Sequence, residues 1–227
     1  MTDAHSEYSY IRRRGRATKA QTRGLELIDK FRIAPAAIAE LDAPIGLEIG
    51  FGMGQALLGW GLEDTQQQLV GIELYQPGLG ALADALEREG LQHVHIVDQP
   101  AQEVLRALPA GSVQEIRILF PDPWPKKRHA KRRLIQPEFI AQVTAVLADQ
   151  GRLQIATDWD PYATWIREVM AQASGLQAVV DKIRAPEDQS KLREQSTKYE
   201  ARGERLGHQI HDLVYVRDRN SANTESR

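Results

Sequence analysis

The sequence predicts an α/β fold, a doubly wound and mainly parallel sheet of seven strands with helices on both faces. Three observations carry that expectation. Short apolar runs alternate with stretches of helical periodicity along nearly the whole chain, the pattern of strands joined by crossover helices. The first of those runs ends in a cluster of glycines, and a helical pattern follows at once, a strand–turn–helix of the kind that opens such sheets. A length of 227 residues suits one α/β domain, large enough to bury roughly 70% of its unfolded surface around a single core.

Hydrophobic residues make up 42% and charged residues 26%, a globular balance that excludes collagenous, mucin-like or wholly disordered chains. The absence of cysteine excludes disulfide frameworks, cysteine-ligated zinc, iron–sulfur clusters and thiol nucleophiles. No apolar run approaches the roughly 20 residues of a membrane span, and the N-terminus lacks the apolar stretch of a signal peptide. A soluble, cytoplasmic protein is therefore expected. With 29 Lys and Arg against 31 Asp and Glu, any polyanionic partner must be held by local patches rather than by net charge.

Residues 1–24 are polar, and Arg12, Arg13, Arg14, Arg16, Lys19 and Arg23 fall in a stretch without apolar periodicity, which reads as a mobile basic arm. Asp3, Glu7 and the missing amphipathic pattern weigh against a transit peptide; a solubilising tail and a nucleic-acid arm remain equal readings. After Asp42-Ala43-Pro44, Ile45 to Ile49 is the first strand and Gln55 to Gly61 the first helix. Leu69 to Leu74 is the second strand. Pro77 suits the first position of a helix in which Leu79, Leu82, Ala83 and Leu86 recur at helical spacing as far as Gly90. His93 to Val97 is the third strand, Ala101 to Leu108 a helix, and Val113 to Phe120 the fourth strand. A helix from Pro137 to Ala148 and a strand from Arg152 to Ala156 follow. The next helix begins with Asp160 as N-cap and Pro161 at N1. Leu176 to Ile183 and Ile210 to Val216 are the last strands, separated by a charged loop with Gly203 and Gly207. One domain over 25–217 and a disordered tail over 218–227 complete the expectation. In such sheets ligands bind at the carboxyl ends of the strands.

Leu47-Glu48-Ile49-Gly50-Phe51-Gly52-Met53-Gly54 closes the first strand with G-x-G-x-G spacing, one residue tighter than the G-x-G-x-x-G turn that seats a pyrophosphate. Gly50, Gly52 and Gly54 clear side chains from a turn that lies against a ligand, and nothing in it requires phosphate. Glu73 closes the second strand, where a carboxylate accepts from a ribose diol. Glu48 and Glu73 thus flank one glycine turn, which suits a ligand with an ammonium or sulfonium group and a ribose. S-adenosylmethionine has all three. The plainer reading is a tight strand–helix turn with Glu73 as a surface acid.

Phe120-Pro121-Asp122-Pro123-Trp124-Pro125 follows the fourth strand. Its prolines fix φ and deny helix, holding Asp122 on a stiff rim suited to positioning a reacting group. Trp124 offers a face for stacking a base, or else fills the core as most indoles do. Lys126, Lys127, Arg128, His129, Lys131, Arg132 and Arg133 come next. A charge run is usually a solvated face, but this one abuts the ligand-binding edge, so a phosphate-backbone footprint is preferred. Thr157-Asp158-Trp159 ends the fifth strand, and the acceptor oxygens of Asp158 match the N1 and N2 hydrogens of a guanine. Thr197, Lys198, Tyr199 and Glu200 add hydrogen-bonding groups in the loop before the last strand. His208 and His211 are spaced like metal ligands, but they sit in a strand pattern without a third ligand, so no metal is expected.

On five motifs, Leu47 to Gly54, Gly71-Ile72-Glu73, Pro121 to Arg133, Ala156-Thr157-Asp158-Trp159, and Thr197 to Glu200 with Arg202-Gly203 and Leu206-Gly207-His208, the chain resembles the bacterial tRNA (guanine-N7-)-methyltransferase family. The resemblance runs from Leu25 to Val216. It implies a class I, Rossmann-like methyltransferase that transfers a methyl group from S-adenosylmethionine, leaving S-adenosylhomocysteine, to N7 of the guanine at position 46 in the tRNA variable loop. No metal is implied. Glu48 and Glu73 would bind the cofactor and Asp122 would be the catalytic-site acid, also touching the cofactor. Lys126, Asp158, Thr197, Lys198, Tyr199 and Glu200 would bind substrate, and Arg128, His129, Ala130, Lys131, Arg132 and Arg133 would contact RNA. The family's Asp or Asn near the adenine falls at Pro100 here, leaving Asp98, Gln99 or a backbone group at Pro100 for that contact. The implied partner is tRNA, with no membrane and no obligate protein partner. Guanine N7 already bears an in-plane lone pair, so the transfer needs no general base; Asp122 either stabilises the charge moving onto the purine or orients the base. A non-catalytic RNA-binding protein would explain the basic stretches but leave the paired acids idle. A nucleotide-dependent oxidoreductase would explain Glu73 but neither the close glycine spacing nor the basic block.

Overall fold

Ile45–Ile49 is buried along its whole length, as a central strand covered on both faces must be, and the sheet grows outward from this strand, β1. In the computed structural model, which describes residues 18–184 and 207–218, β2 (Gln68–Ile72) and β4 (Val113–Leu119) flank β1, both parallel to it. β3 (Val94–Val97) lies parallel outside β2, and β5 (Leu147–Thr157) lies parallel outside β4. Past β5 comes the last strand, β7 (Ile210–Arg217), antiparallel to it, with β6 (Leu176–Arg184) antiparallel at the edge. The order is β3-β2-β1-β4-β5-β7-β6, a mixed sheet in which β7 alone runs against the rest. Strand order reverses between β1 and β4, which opens a crevice at their carboxyl ends.

Among the described residues six α-helices pack on this frame: α1 (Lys19–Leu27), α2 (Gln55–Glu63), α3 (Gln76–Glu89), α4 (Ala101–Ala107), α5 (Pro137–Val146) and α6 (Asp160–Met170). They form two apolar layers. Phe51, Leu57, Trp60, Leu79, Leu82 and Leu86 of the α2–α3 side cluster with Ile28, Phe31 and Ile96. Leu47, Val104, Phe139, Ile140, Val143 and Ile166 belong to the larger cluster of the α4–α6 side.

Four expectations need correction. The basic arm was expected to run through residue 24, yet Thr18 already opens α1 with a capping box, its Oγ1 accepting from the Gln21 N–H while its own N–H donates to the Gln21 side chain. Gly24 then lets α1 press on α3 at Gly80; a Cβ on Gly24 would collide with the Gly80 carbonyl, and one on Gly80 with that of Gln21. Arg23 reaches the buried Asp84 at 2.5 Å. Residues 1–17 lie outside the described residues. Second, the helix expected to reach Ala148 stops at Val146, because Leu147 pairs with Val113 and begins β5, so ladder hydrogen bonds override the helix propensity of Leu and Ala. Third, α6 is capped by Trp159 rather than Asp160; Asp160 instead accepts from His211 Nε2 at 2.6 Å. Fourth, Asp218, placed in the tail, donates its N–H to the Gly175 carbonyl; the rest of that tail lies outside the described residues.

Candidate active site

Three left-handed glycines shape the end of β1. Gly50, Gly52 and Gly54 have φ of 75°, 58° and 80°, a region that costs side-chain-bearing residues roughly 1–2 kcal/mol. A Cβ built on Gly50 meets nothing within 4 Å, so that side of the turn is open to a ligand. Glu48 is buried below it, in register with Gly71 of β2 and Arg117 of β4. The Glu73 carboxylate bends back over the turn. One oxygen accepts from the Gly52 N–H at 2.9 Å, and the other from the N–H groups of Leu74 and Tyr75 at 2.7 and 3.0 Å. An ionised carboxylate has about four acceptor sites, so room remains for a ribose hydroxyl. From behind, α3 reaches the turn at Gly78, where a Cβ would collide with the Gly52 carbonyl.

Past β3, the Asp98 carboxylate pairs with Arg32 at 3.1 Å. Gln99 is exposed, and Pro100 is the N-cap of α4, its carbonyl accepting from Glu103 and Val104. Of the residues expected near an adenine, Asp98 is thus already engaged by a cation, and Gln99 has the side chain turned to solvent.

β4 runs out into the proline rim through Phe120 at φ 53°, and the rim reaches Trp124 at φ 43°. Non-glycine residues held there cost on the order of 1–3 kcal/mol each and persist only when the surroundings over-determine them. Asp122, between these two, is exposed. Arg133 donates through Nε to the Pro123 carbonyl at 3.0 Å. Its guanidinium carbon lies 5.7, 5.3 and 5.4 Å from the rings of Trp159, Tyr162 and Trp165. Burial pushes the Tyr162 phenol well above its ordinary range, Asp122 adding to the rise and Arg133 opposing it; Tyr162 therefore stays protonated and is no base.

The basic block forms a 3-10 turn over Lys127–Arg132. Lys126, Lys127, Arg128 and Lys131 are exposed, as a phosphate footprint requires. Trp124 is half-buried, with the His129 ring edge-on at 5.7 Å and the Arg132 guanidinium 5.1 Å from its centre. Desolvation, then the charges of Arg132, Arg128 and Lys126, hold the His129 imidazole below its ordinary pKa. Arg133, the last of the expected row of RNA contacts, is half-buried, its side chain lying against the Pro123 carbonyl and the α6 rings. Across the crevice, half-buried Asp158 follows β5 with His208 Nδ1 3.3 Å from its Oδ2. His208 and His211 each face a different acid, Asp158 and Asp160. Thr197, Lys198, Tyr199 and Glu200 lie outside the described residues.

The model of a family described as putative methyltransferase matches residues 42–213. A tRNA (guanine-N(7)-)-methyltransferase of Chromohalobacter salexigens is 40% identical over 218 residues, spanning 92% of this chain and 89% of its own length. One of Nitrosococcus oceani is 42% identical over 218 residues, spanning 92% and 90%. The chain belongs to the tRNA (guanine-N(7)-)-methyltransferase family. Solved structures agree in fold: the 16S rRNA (adenine(1408)-N(1))-methyltransferase from Catenulisporales acidiphilia superposes with a TM-score of 0.56 at 16% identity over 82% of this chain and 94% of that one. An rRNA methylase from Streptococcus thermophilus gives 0.53 at 12% identity over 87% and 95%.

Three features of this tRNA (guanine-N(7)-)-methyltransferase family member escaped the sequence reading: the inward turn of Arg133, the backbone contacts at Gly78 and Gly80, and the Arg32–Asp98 pair. Only the glycines left a signal. Helix interiors disfavour glycine by roughly 1 kcal/mol relative to alanine, so Pro77-Gly78-Leu79-Gly80 inside a helical pattern points to backbone held close on that face.

Proposed function

We propose that the chain transfers a methyl group from S-adenosylmethionine to N7 of the guanine at position 46 in the variable loop of tRNA, in the cytoplasm. The observation that carries this reading is the meeting of three parts at one sheet edge. These are a glycine turn with an open face and a carboxylate latched over it, a strained rim presenting Asp122, and a basic turn with four exposed cations. S-adenosylmethionine supplies a methyl group on a sulfonium centre. Glu48, Gly50, Gly52, Gly54 and Glu73 would hold it, with the adenine towards Asp98, Gln99 and the backbone at Pro100. Glu73 accepts from the ribose diol with the capacity its backbone bonds leave. Asp122 faces the purine on which positive charge develops, and its carboxylate lowers the energy of that charge or fixes the base in line. Asp158 accepts from the guanine edge, and His208 on its other side limits how the carboxylate turns. Lys126 and residues 197–200 complete the substrate site, while Lys127, Arg128 and Lys131 neutralise phosphates. Incubation with labelled S-adenosylmethionine and tRNA lacking 7-methylguanosine, followed by nucleoside analysis and by mapping of the label on nuclease fragments, should yield 7-methylguanosine at that position; a different methylated nucleoside, or none, overturns the reading.

Lys127→Ala with Lys131→Ala is expected to weaken tRNA binding and to flatten the log affinity against log salt slope by about 1 to 2, because each lost phosphate contact releases fewer counterions. At pH 8 His129→Ala should leave the slope unchanged, since the depressed imidazole is neutral there. An unaltered slope in the double lysine variant would return the block to an ordinary solvated face.

Asp158→Ala should reduce turnover of saturating tRNA far more than it reduces tRNA affinity, because base placement is local whereas affinity is spread over many phosphates. Normal turnover at saturation with weakened binding would contradict the guanine-edge role.

A further inference from the structure

We infer that Arg133 is a positioning residue of the methyl-transfer site, a cationic tie between the Asp122 rim and the start of α6, and that it is not part of the RNA footprint. The inference rests on the methyltransferase reading above. Arg133 ends the basic turn, and the two residues before it, Lys131 and Arg132, are exposed and half-buried cations, so position in the chain alone would assign it to phosphate. Its contacts assign it elsewhere. The Nε–H donates to the carbonyl of Pro123, the residue after Asp122. The guanidinium sits among three rings of α6 and its cap, and Trp159 directly follows Asp158. One side chain therefore links the two segments that carry the candidate acids.

The surroundings hold that link rigidly. The Trp165 indole N–H donates to the Ile135 carbonyl at 2.8 Å, and the Tyr162 hydroxyl accepts from the Ile135 N–H at 3.4 Å. The Gln136 side chain donates to the carbonyls of Ala130 and Arg133 at 2.9 and 3.3 Å. The segment leading out of the basic turn is thus stapled to α6, while Arg133 reaches back from it to the rim. Phe120 and Trp124 are the strained ends of that rim, and left-handed non-glycine residues need such external support. A guanidinium suits the task because it donates in its plane while its faces stay against aromatic rings; a lysine ammonium offers a point charge without the planar fork. The charge also faces the same buried phenol as Asp122 does, with opposite effect on it, which puts both groups in one electrostatic neighbourhood.

The test compares wild type, Arg133→Lys, Arg133→Met, Trp165→Phe and Lys131→Ala. Arg133→Lys keeps the positive charge, so a phosphate contact would survive it while a planar tie would not. The expected result is a fall in single-turnover methylation at saturating tRNA and S-adenosylmethionine of roughly 10- to 100-fold, the scale of an ångström-level misplacement of a reacting group. The tRNA dissociation constant and its salt slope should stay as in wild type, and trypsin should cleave faster after Lys126 or Lys127 as the rim loosens. Trp165→Phe should show a smaller change of the same kind, and Lys131→Ala a reduced salt slope with unchanged proteolysis of the rim. Arg133→Lys with wild-type turnover and wild-type proteolysis overturns the inference, as does Arg133→Met that lowers the salt slope by about 1 and spares turnover. Should Arg133→Met not fold, Arg133→Lys and Trp165→Phe decide the matter. If wild type itself forms no 7-methylguanosine, the methyltransferase reading fails instead, and the proteolysis comparison still reports whether Arg133 holds the rim.

Discussion

Asp122→Asn is expected to slow the methyl-transfer step by roughly tenfold or more, each 1.36 kcal/mol of lost transition-state stabilisation being tenfold. The substitution keeps the shape of the side chain on the rim between Phe120 and Trp124 and removes only its charge, so the loss reports what the carboxylate does for positive charge arriving on the purine. In the wild type, the single-turnover rate should be nearly flat between about pH 6 and 8.5, because a lone pair already free on N7 needs no base tuned near neutrality. Tyr162, whose phenol feels the Asp122 charge, is pushed up chiefly by burial and so adds no titrating limb in that range. Rapid-quench single-turnover assays across that range check both statements. A steep ionisation in the wild type that vanishes in Asp122→Asn would mean that this carboxylate takes a proton, and the base-free mechanism would be lost.

Glu73→Ala is expected to weaken S-adenosylmethionine binding by about 1–3 kcal/mol, the effect of losing a hydrogen bond to a charged acceptor, and to lower the melting temperature of the ligand-free protein as well. Both effects have one origin. The carboxylate that would hold the ribose also accepts from Gly52, Leu74 and Tyr75, so its removal frees the glycine turn from the end of β2. Calorimetry measures the first effect and thermal unfolding the second. Glu73→Gln, which retains one acceptor oxygen, should fall between alanine and wild type in both. Wild-type affinity in a folded Glu73→Ala protein would remove this residue from the cofactor site.

The alternation of β-strands and helices was legible in the sequence because a sheet covered on both faces demands short, largely apolar runs, and Ile45–Ile49 is one apart from Glu48. The glycine turn was legible because left-handed φ at Gly50, Gly52 and Gly54 leaves no other residue type comfortable. Glu73 was placed at the correct strand end, yet its backbone bonds were not foreseeable, since they depend on how far β2 projects beyond the turn. Thr18-Lys19-Ala20-Gln21 carried a helix-start signature that the density of arginines around it obscured. Arg133 is the clearest case of chemistry hidden by composition. Within a run of cations no local rule separates the one that turns inward, and the rings that receive it come from a helix whose packing only the tertiary structure reveals.

The insertion of β7 between β5 and β6 has a consequence for synthesis. On the ribosome β6 emerges before β7 and has no edge to join, because its place in the sheet exists only through β7. At 5–20 residues per second, the chain from Arg184 to Arg217 takes on the order of seconds to appear. During that interval β5 is an unpaired sheet edge and β6 an orphan strand carrying Val179 and Ile183, which remain exposed even in the finished fold. Unpaired edges and apolar strands of this kind recruit other chains. Arrival of β7 closes the gap from both sides at once, and the buried Arg184–Asp212 pair, 3.1 Å apart, forms only then. That gap stays open late in translation, when the glycine turn, rim and basic block have already emerged and the strand between β5 and β6 is still missing.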